Sequence, residues 1–414
     1  MATAGLYEWY IMEEREHPPK WGGGETNHYP LNHDKRAPTE EMMSKESEAW
    51  IKDILWMADI TTDDDHTTPM WVGWNSQLLP KDETKQKVFY LPQINMSPTS
   101  HSVVQETLRR AQTLKRECKK QAIVITYDLA IAKIAFQIQA EKKPAFDDVF
   151  IALGAFHIEM AFLSALGKYV AEWGGPHVLN ESLVLAKGST NTFQKGKNYK
   201  RCKDIKEILA LSMEHLHFES FLDTLGDERD DELIRLKQDI GKLKESGAPL
   251  SRESIELLEK YKSYAQDTSQ SVHGQTPQYW QNYIDMNHTY HDFSRSIREG
   301  DFELYKHCLV KMTNMFFAMN QPNYARWTVK FHDNLLKLEE SHPEIYFEFK
   351  EKLFGIQRSG NSFSRSPIDL TLEQTINRDA AYQRTGISAI TNNISVQQRW
   401  AESHFLLTEI IGER

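Results

Sequence analysis

Cysteine is scarce: Cys118, Cys202 and Cys308 are the only three in 414 residues. They lie far apart, without the paired spacing of a zinc knuckle or the even count of a disulfide framework, so they read as reduced thiols. Long hydrophobic runs are missing as well. No apolar stretch approaches the roughly 20 residues that span a bilayer, and no membrane segment is expected. The opening MATAGLYEWYIMEEREH lacks the basic, apolar, small-residue order of a secretory signal, and the expected location is intracellular, the nucleus included. Excess positive charge is absent too: 49 Lys and Arg against 59 Asp and Glu leave a net charge of −10. That argues against a surface given over wholly to nucleic acid, while local basic segments can still hold phosphate. No Walker loop, G-x-G-x-x-G or G-x-S-x-G occurs, so nucleotide-binding and hydrolase-elbow readings have no motif.

What remains is a globular composition, 40% hydrophobic and 26% charged, long enough for two or three packed units. Residues 1–66 read as an arm followed by a helix, in which Met42, Met43, Ala49, Trp50, Ile54 and Trp56 recur at helical spacing until TTDDDHTTP ends it. Residues 67–185 read as an α/β sheet core. MWVGW and KVFYL are β-rich and predict a hairpin or meander. Next come the helix SVVQETLRRAQTLKRECKK, the apolar strand AIVITY, a helix over 129–141, the apolar strand VFIALG and the helix HIEMAFLSALGKYVAEW. Strands apolar on both faces and joined through helices predict a parallel pair under helices. Residues 186–350 read as a helical insertion, with the charged ERDDELIRLKQDIGKLKES and RESIELLEKYKSYAQ as a solvated antiparallel pair. Residues 351–414 predict C-terminal helices that pack back on the core.

Ligands of parallel sheets collect outside the carboxyl ends of the strands. Asp128 ends the first strand, and FHIEM brings His157 and Glu159 to the equivalent edge of the second. Asp369 and Glu373, four apart, share one face of a late helix, with Arg365, Arg378 and Arg384 around them. Asp128, Glu159, Asp369 and Glu373 could together hold Mg²⁺ or Mn²⁺, with Asp128, Glu373 and His157 as the catalytic set for phosphodiester attack. The plainer account makes Asp128 a helix N-cap, His157 and Glu159 an ordinary helix start, and Asp369 and Glu373 a polar helix face. The segment 186–206 supplies Lys187, Lys195, Lys197, Lys200, Arg201 and Lys203 with Phe193 and Tyr199 interleaved, a pattern suited either to backbone phosphates and stacked bases or to a solvated linker. His215 and His217 point to different sides of a helix. His288 and His291, three apart, share a face, but without cysteine partners they read as packing residues.

The stretches VFYLPQINMSPTSHS, AIVITYDLAIAKIA, IALGAFHIEMAFLSALGKYV and IDLTLEQTINRDAA, in this order, resemble a repetitive, mobile-element-borne protein family of invertebrate genomes, from about Trp71 to Trp400. That resemblance implies a genomic context and offers no established catalytic residue to carry across. A looser one is to cut-and-paste transposases of RNase H-like fold, whose second catalytic Asp ends a strand and whose final Glu follows a large helical insertion. Asp128 and Glu373 match those two positions. The first-strand Asp has no counterpart, since MWVGWN offers Asn75 and Asp63, Asp64 and Asp65 fall in a loop. The expectation is an RNase H-like mixed sheet with a large all-α insertion, in a protein that binds nucleic acid and cuts it with divalent metal. The alternative is a catalytically inert scaffold that binds a partner through its helical region.

Overall fold

Thr39 starts the first helix of the computed structural model, which describes residues 38–373 apart from 64–66, 81–83, 89–93, 95, 196–198 and 271–273. Its hydroxyl accepts the Met42 N–H at 3.2 Å, and Glu40 and Glu41 sit at the positive end of α1, Glu40–Thr61. The buried residues Ile54, Leu55, Trp56, Met57 and Ala58 fill its last turns. The MWVGW segment is not a strand. It forms α2, Trp71–Ser76, because Trp71 and Trp74 are one helical turn apart and both bury against α1. Their indole N–H groups donate to Asp53 and Asp59 at 2.8 and 2.7 Å, a pairing that extended backbone would split onto opposite faces. Of KVFYL, residues 87–88 carry no strand and the rest lies outside the described residues.

After α3, His101–Glu117, the expected parallel pair appears. β1, Ile123–Tyr127, and β2, Val149–Leu153, run parallel with Ile123 opposite Val149 and Tyr127 opposite Leu153. The helices α4, Leu129–Glu141, and α5, Ala155–Glu172, leave their carboxyl ends. There the expected α/β architecture ends. Of the described residues 72% are helical and 4% strand, and the sheet has two strands, so the fold is not RNase H-like.

Short helices α6, Gly175–Glu181, and α7, Thr190–Gln194, lead to α8, Tyr199–Asp223. Then follow α9, Arg229–Ser246, α10, Arg252–Thr268, α11, Gln275–Glu299, α12, Phe302–Ala318, and α13, Pro322–Leu336. The short α14, Leu338–Ser341, α15, Pro343–Lys350, and α16, Ile368–Leu372, close the described chain. Two apolar clusters form among the described residues. The first joins the sheet to α4, α5 and α11–α13 and includes Val149, Ile151, Phe162, Phe316 and Phe331. The second joins α1 and α2 to α9 and α10 through Trp56, Trp74, Leu236, Leu257 and Tyr261. Helix α8 serves both, giving Ile205 and Leu209 to the first and Phe218 and Phe221 to the second. No described helix is long and apolar enough to cross a membrane.

Candidate functional site

The turn from β1 into α4 is set by Asp128. Its Oδ1 accepts the Ile131 N–H at 2.8 Å, so the carboxylate caps α4 and leaves Oδ2 outside the cap. The turn from β2 into α5 has no such residue, because its N-cap is Gly154. The missing cap comes from the far end of the sequence. Asp369 of α16 accepts the Phe156 N–H on Oδ1 and the His157 N–H on Oδ2, each at 3.2 Å, and its Oδ2 lies 2.9 Å from His157 Nδ1. A late acidic helix thus returns to the strand ends.

His157 is the centre of this group. Burial disfavours its charged form, but the Asp369 hydrogen bond and charge, with further contributions from Asp128 and Glu373, outweigh it and hold the pKa above the ordinary histidine value. Tyr324 of α13 belongs to the same neighbourhood: burial first, then the charges of Asp128 and Asp369, push its hydroxyl up to about 12. Asp128, His157, Asp369 and Glu373 are therefore brought together. Arg365, just before α16, is buried, whereas Arg378 and Arg384 lie outside the described residues.

Glu159 does not join the group. It is buried on the other side of α5's first turns, where its Oε2 accepts the Tyr199 hydroxyl at 2.8 Å, and burial raises its pKa. Asp369 also departs from the expected ligand role, since both its oxygens are engaged by the helix start and His157. Among the described residues no group of three or more His, Cys, Asp or Glu side chains is arranged to hold a metal ion. What the strand ends do offer is a histidine with one ring nitrogen oriented by a carboxylate, beside two further acids, which is equipment for proton transfer.

The basic segment is only partly a surface. Phe193 is buried, and Lys206 is buried beneath it, its ammonium 5.1 Å from the Phe193 ring and bonded to the Leu163 carbonyl. Burial lowers the Lys206 pKa to about 8. Tyr199 packs its ring edge-on against Phe156 at 4.8 Å, so neither aromatic stands clear to stack on bases. Lys203 pairs with Glu207 at 3.5 Å and lies over the Tyr290 ring. Lys195, Lys200 and Arg201 are exposed. Lys187 lies in a 3₁₀ turn, and Lys197 is outside the described residues.

His217, His288 and His291 are held by packing and hydrogen-bond partners. His217 bonds Thr268 at 2.8 Å. His288 and His291 face Asp53, each at 3.8 Å, with Glu214 and Glu207 behind them, and both have raised pKa values, His291 up to about 9. Burial opposes that rise, and the surrounding carboxylates prevail. Sequence reasoning missed Gly154 and Tyr324. The glycine immediately after an apolar strand, at the position where a capping residue belongs, was the available signal.

No curated protein and no solved structure matches the chain. A family model described as a domain of unknown function (DUF8702) matches residues 70–413. Both strands, their carboxyl ends, Asp369 and Glu373 fall within that match, which takes in most of the sequence, and the protein belongs to the DUF8702 family.

Proposed function

We propose that the protein binds nucleic acid across the helix starts at the carboxyl ends of β1 and β2 and cuts its phosphodiester backbone there. One observation carries this reading. The first turn of α8, with Lys200 and Arg201 exposed, packs directly on the first turn of α5 through the Tyr199 to Glu159 bond and the Tyr199 to Phe156 contact, so the helix that carries these cations abuts the helix that carries His157. A phosphate backbone held by those cations would pass the histidine and the acids at the strand ends. His157 is the proton carrier. Asp128 and Glu373 are the carboxylates we assign to Mg²⁺ or Mn²⁺, ions commonly bound by one or two carboxylates together with substrate phosphates and water. Bound there, the ion would neutralise phosphate charge and activate water. An intracellular, nuclear setting and a mobile-element origin belong to the same proposal.

A second reading is supported by the capping bonds. Asp128 and Asp369 both hold helix starts, which explains their positions without chemistry, and an inert scaffold would keep them for that reason. Labelled single-stranded and duplex DNA and RNA, incubated with wild type in Mn²⁺, Mg²⁺ or chelator, separate the two. Metal-dependent cleavage abolished by Asp128→Asn and by His157→Gln supports the enzyme. Binding without cleavage under every condition leaves the scaffold, and absence of binding ends the nucleic-acid reading altogether.

A further inference from the structure

Helix α5 runs for 18 residues and begins after a glycine, so its first N–H groups have no side chain of their own to satisfy them. Asp369, 213 residues away from Phe156, fills that place. The fit depends on the glycine: a Cβ at position 154 would stand 2.3 Å from Asp369 Oδ2 and 2.8 Å from its Cγ, distances no real Cβ tolerates. The carboxylate cannot swing aside cheaply, because moving it breaks its bonds to both backbone N–H groups and to the ring. Its charge, largely out of solvent, is stabilised by the positive end of α5 and by His157.

An ionised carboxylate only accepts hydrogen bonds, so His157 Nδ1 carries the proton in the neutral ring and Nε2 is the nitrogen left to take or give one. We propose that Asp369 is the positioning residue of the His157 site, that Gly154 is the opening which admits it, and that the centre is assembled only when residues 367–373 dock on the start of α5. This rests on the preceding reading solely in taking His157 as the proton carrier. It adds a dependence on the C-terminal segment: whatever undocks α16 removes the cap of α5 and the tautomer of His157 together.

The full chain, ¹⁵N-labelled at histidine and assigned by the signal lost in His157→Gln, tests this by NMR alongside amide hydrogen exchange. Wild type should show the Nδ1–H tautomer at high pH. Asp369→Asn keeps one capping oxygen but replaces the other with an NH2 donor and removes the charge, so melting should fall by the loss of one cap bond while the His157 titration midpoint falls. Gly154→Ala should abolish the tautomer preference and speed exchange at 367–373 and at the Phe156 and His157 amides. A His157 midpoint unmoved in Asp369→Asn, or unchanged tautomer and exchange in a folded Gly154→Ala, overturns the proposal. Should Gly154→Ala fail to fold, Asp369→Asn decides alone. Neither readout needs cleavage, so a wild type that never cuts would end the nuclease reading and leave this one to be decided separately.

Discussion

Asp128 performs a structural task with one oxygen and is free to perform a chemical one with the other. Asparagine caps about as well as aspartate, so Asp128→Asn should leave the melting temperature nearly unchanged while erasing any rise that Mn²⁺ produces in wild type. Asp128→Ala should cost roughly 0.5–2 kcal/mol through the lost cap. An equal Mn²⁺ rise in wild type and Asp128→Asn would remove Asp128 from the metal site. Glu46 of α1 shows a second residue-scale effect. Burial favours its neutral form, but the His307 bond at 2.9 Å and the Lys311 charge prevail and lower its pKa to about 2. The folded value lies below the unfolded one. Its contribution is therefore present above the ordinary glutamate pKa of 4.5 and is lost as pH falls toward 2. Glu46→Gln should destabilise by on the order of 1–2 kcal/mol at pH 7, allowing for its partial exposure, and flatten stability across that acid window in urea melts. Stability curves that stay parallel from pH 5 to pH 2 would contradict it.

Elements were read best where periodicity and caps agree. The expected pair α9 and α10 is present, and Asp239 ties its turn by accepting the Ser251 N–H at 2.8 Å and the Ser251 and Ser254 hydroxyls. It is less solvated than its charge suggested, since Leu236, Ile240, Leu257 and Tyr261 enter the second cluster. The basic segment shows the converse error. Composition counts its charges and rings but does not say which face each takes, and the turn of α8 that exposes Lys200 and Arg201 turns Tyr199 inward. Reversing Lys195, Lys200 and Arg201 to Glu should weaken nucleic-acid binding and reduce the salt slope by close to one counterion per lost phosphate contact, with melting unchanged. Lys203→Glu, facing Glu207, should instead lower the melting temperature. Identical salt titrations for wild type and the triple reversal would reject the contact surface.

Across the whole molecule, Arg295 of α11 links the two clusters. It is almost fully buried, pairs with Asp53 of α1, donates to Asn75 of α2 at 2.6 Å and lies over the rings of Trp71 and Phe363. Burial opposes its charge, and Asp53 and Glu299 restore it. Arg295→Ala would leave the Asp53 carboxylate buried without its strongest partner, and a loss of about 3–5 kcal/mol in denaturant melts is expected. Arg295→Lys should recover little, because a point charge cannot reproduce the planar fork that meets Asp53 and Asn75 together. A loss below 1 kcal/mol in the alanine variant would show that the network does not hold α1 and α2 to α11.

The sequence alone determined β1, β2 and their parallel pairing, the helices around them and the Asp128 cap. Each of these depends on a short-range signal: an apolar run, a 3.6-residue period, or a polar side chain within reach of the next turn. Only the tertiary structure decided that the sheet has two strands among the described residues, since β-rich MWVGW becomes a helix once Trp71 and Trp74 find Asp53 and Asp59. It also decided which acid does what. Glu159 faces Tyr199, and Asp369 crosses more than two hundred residues to the space that Gly154 leaves open. Such pairings are set by burial and by the demand that every buried donor and acceptor be met, and both are properties of the packed chain rather than of any local pattern.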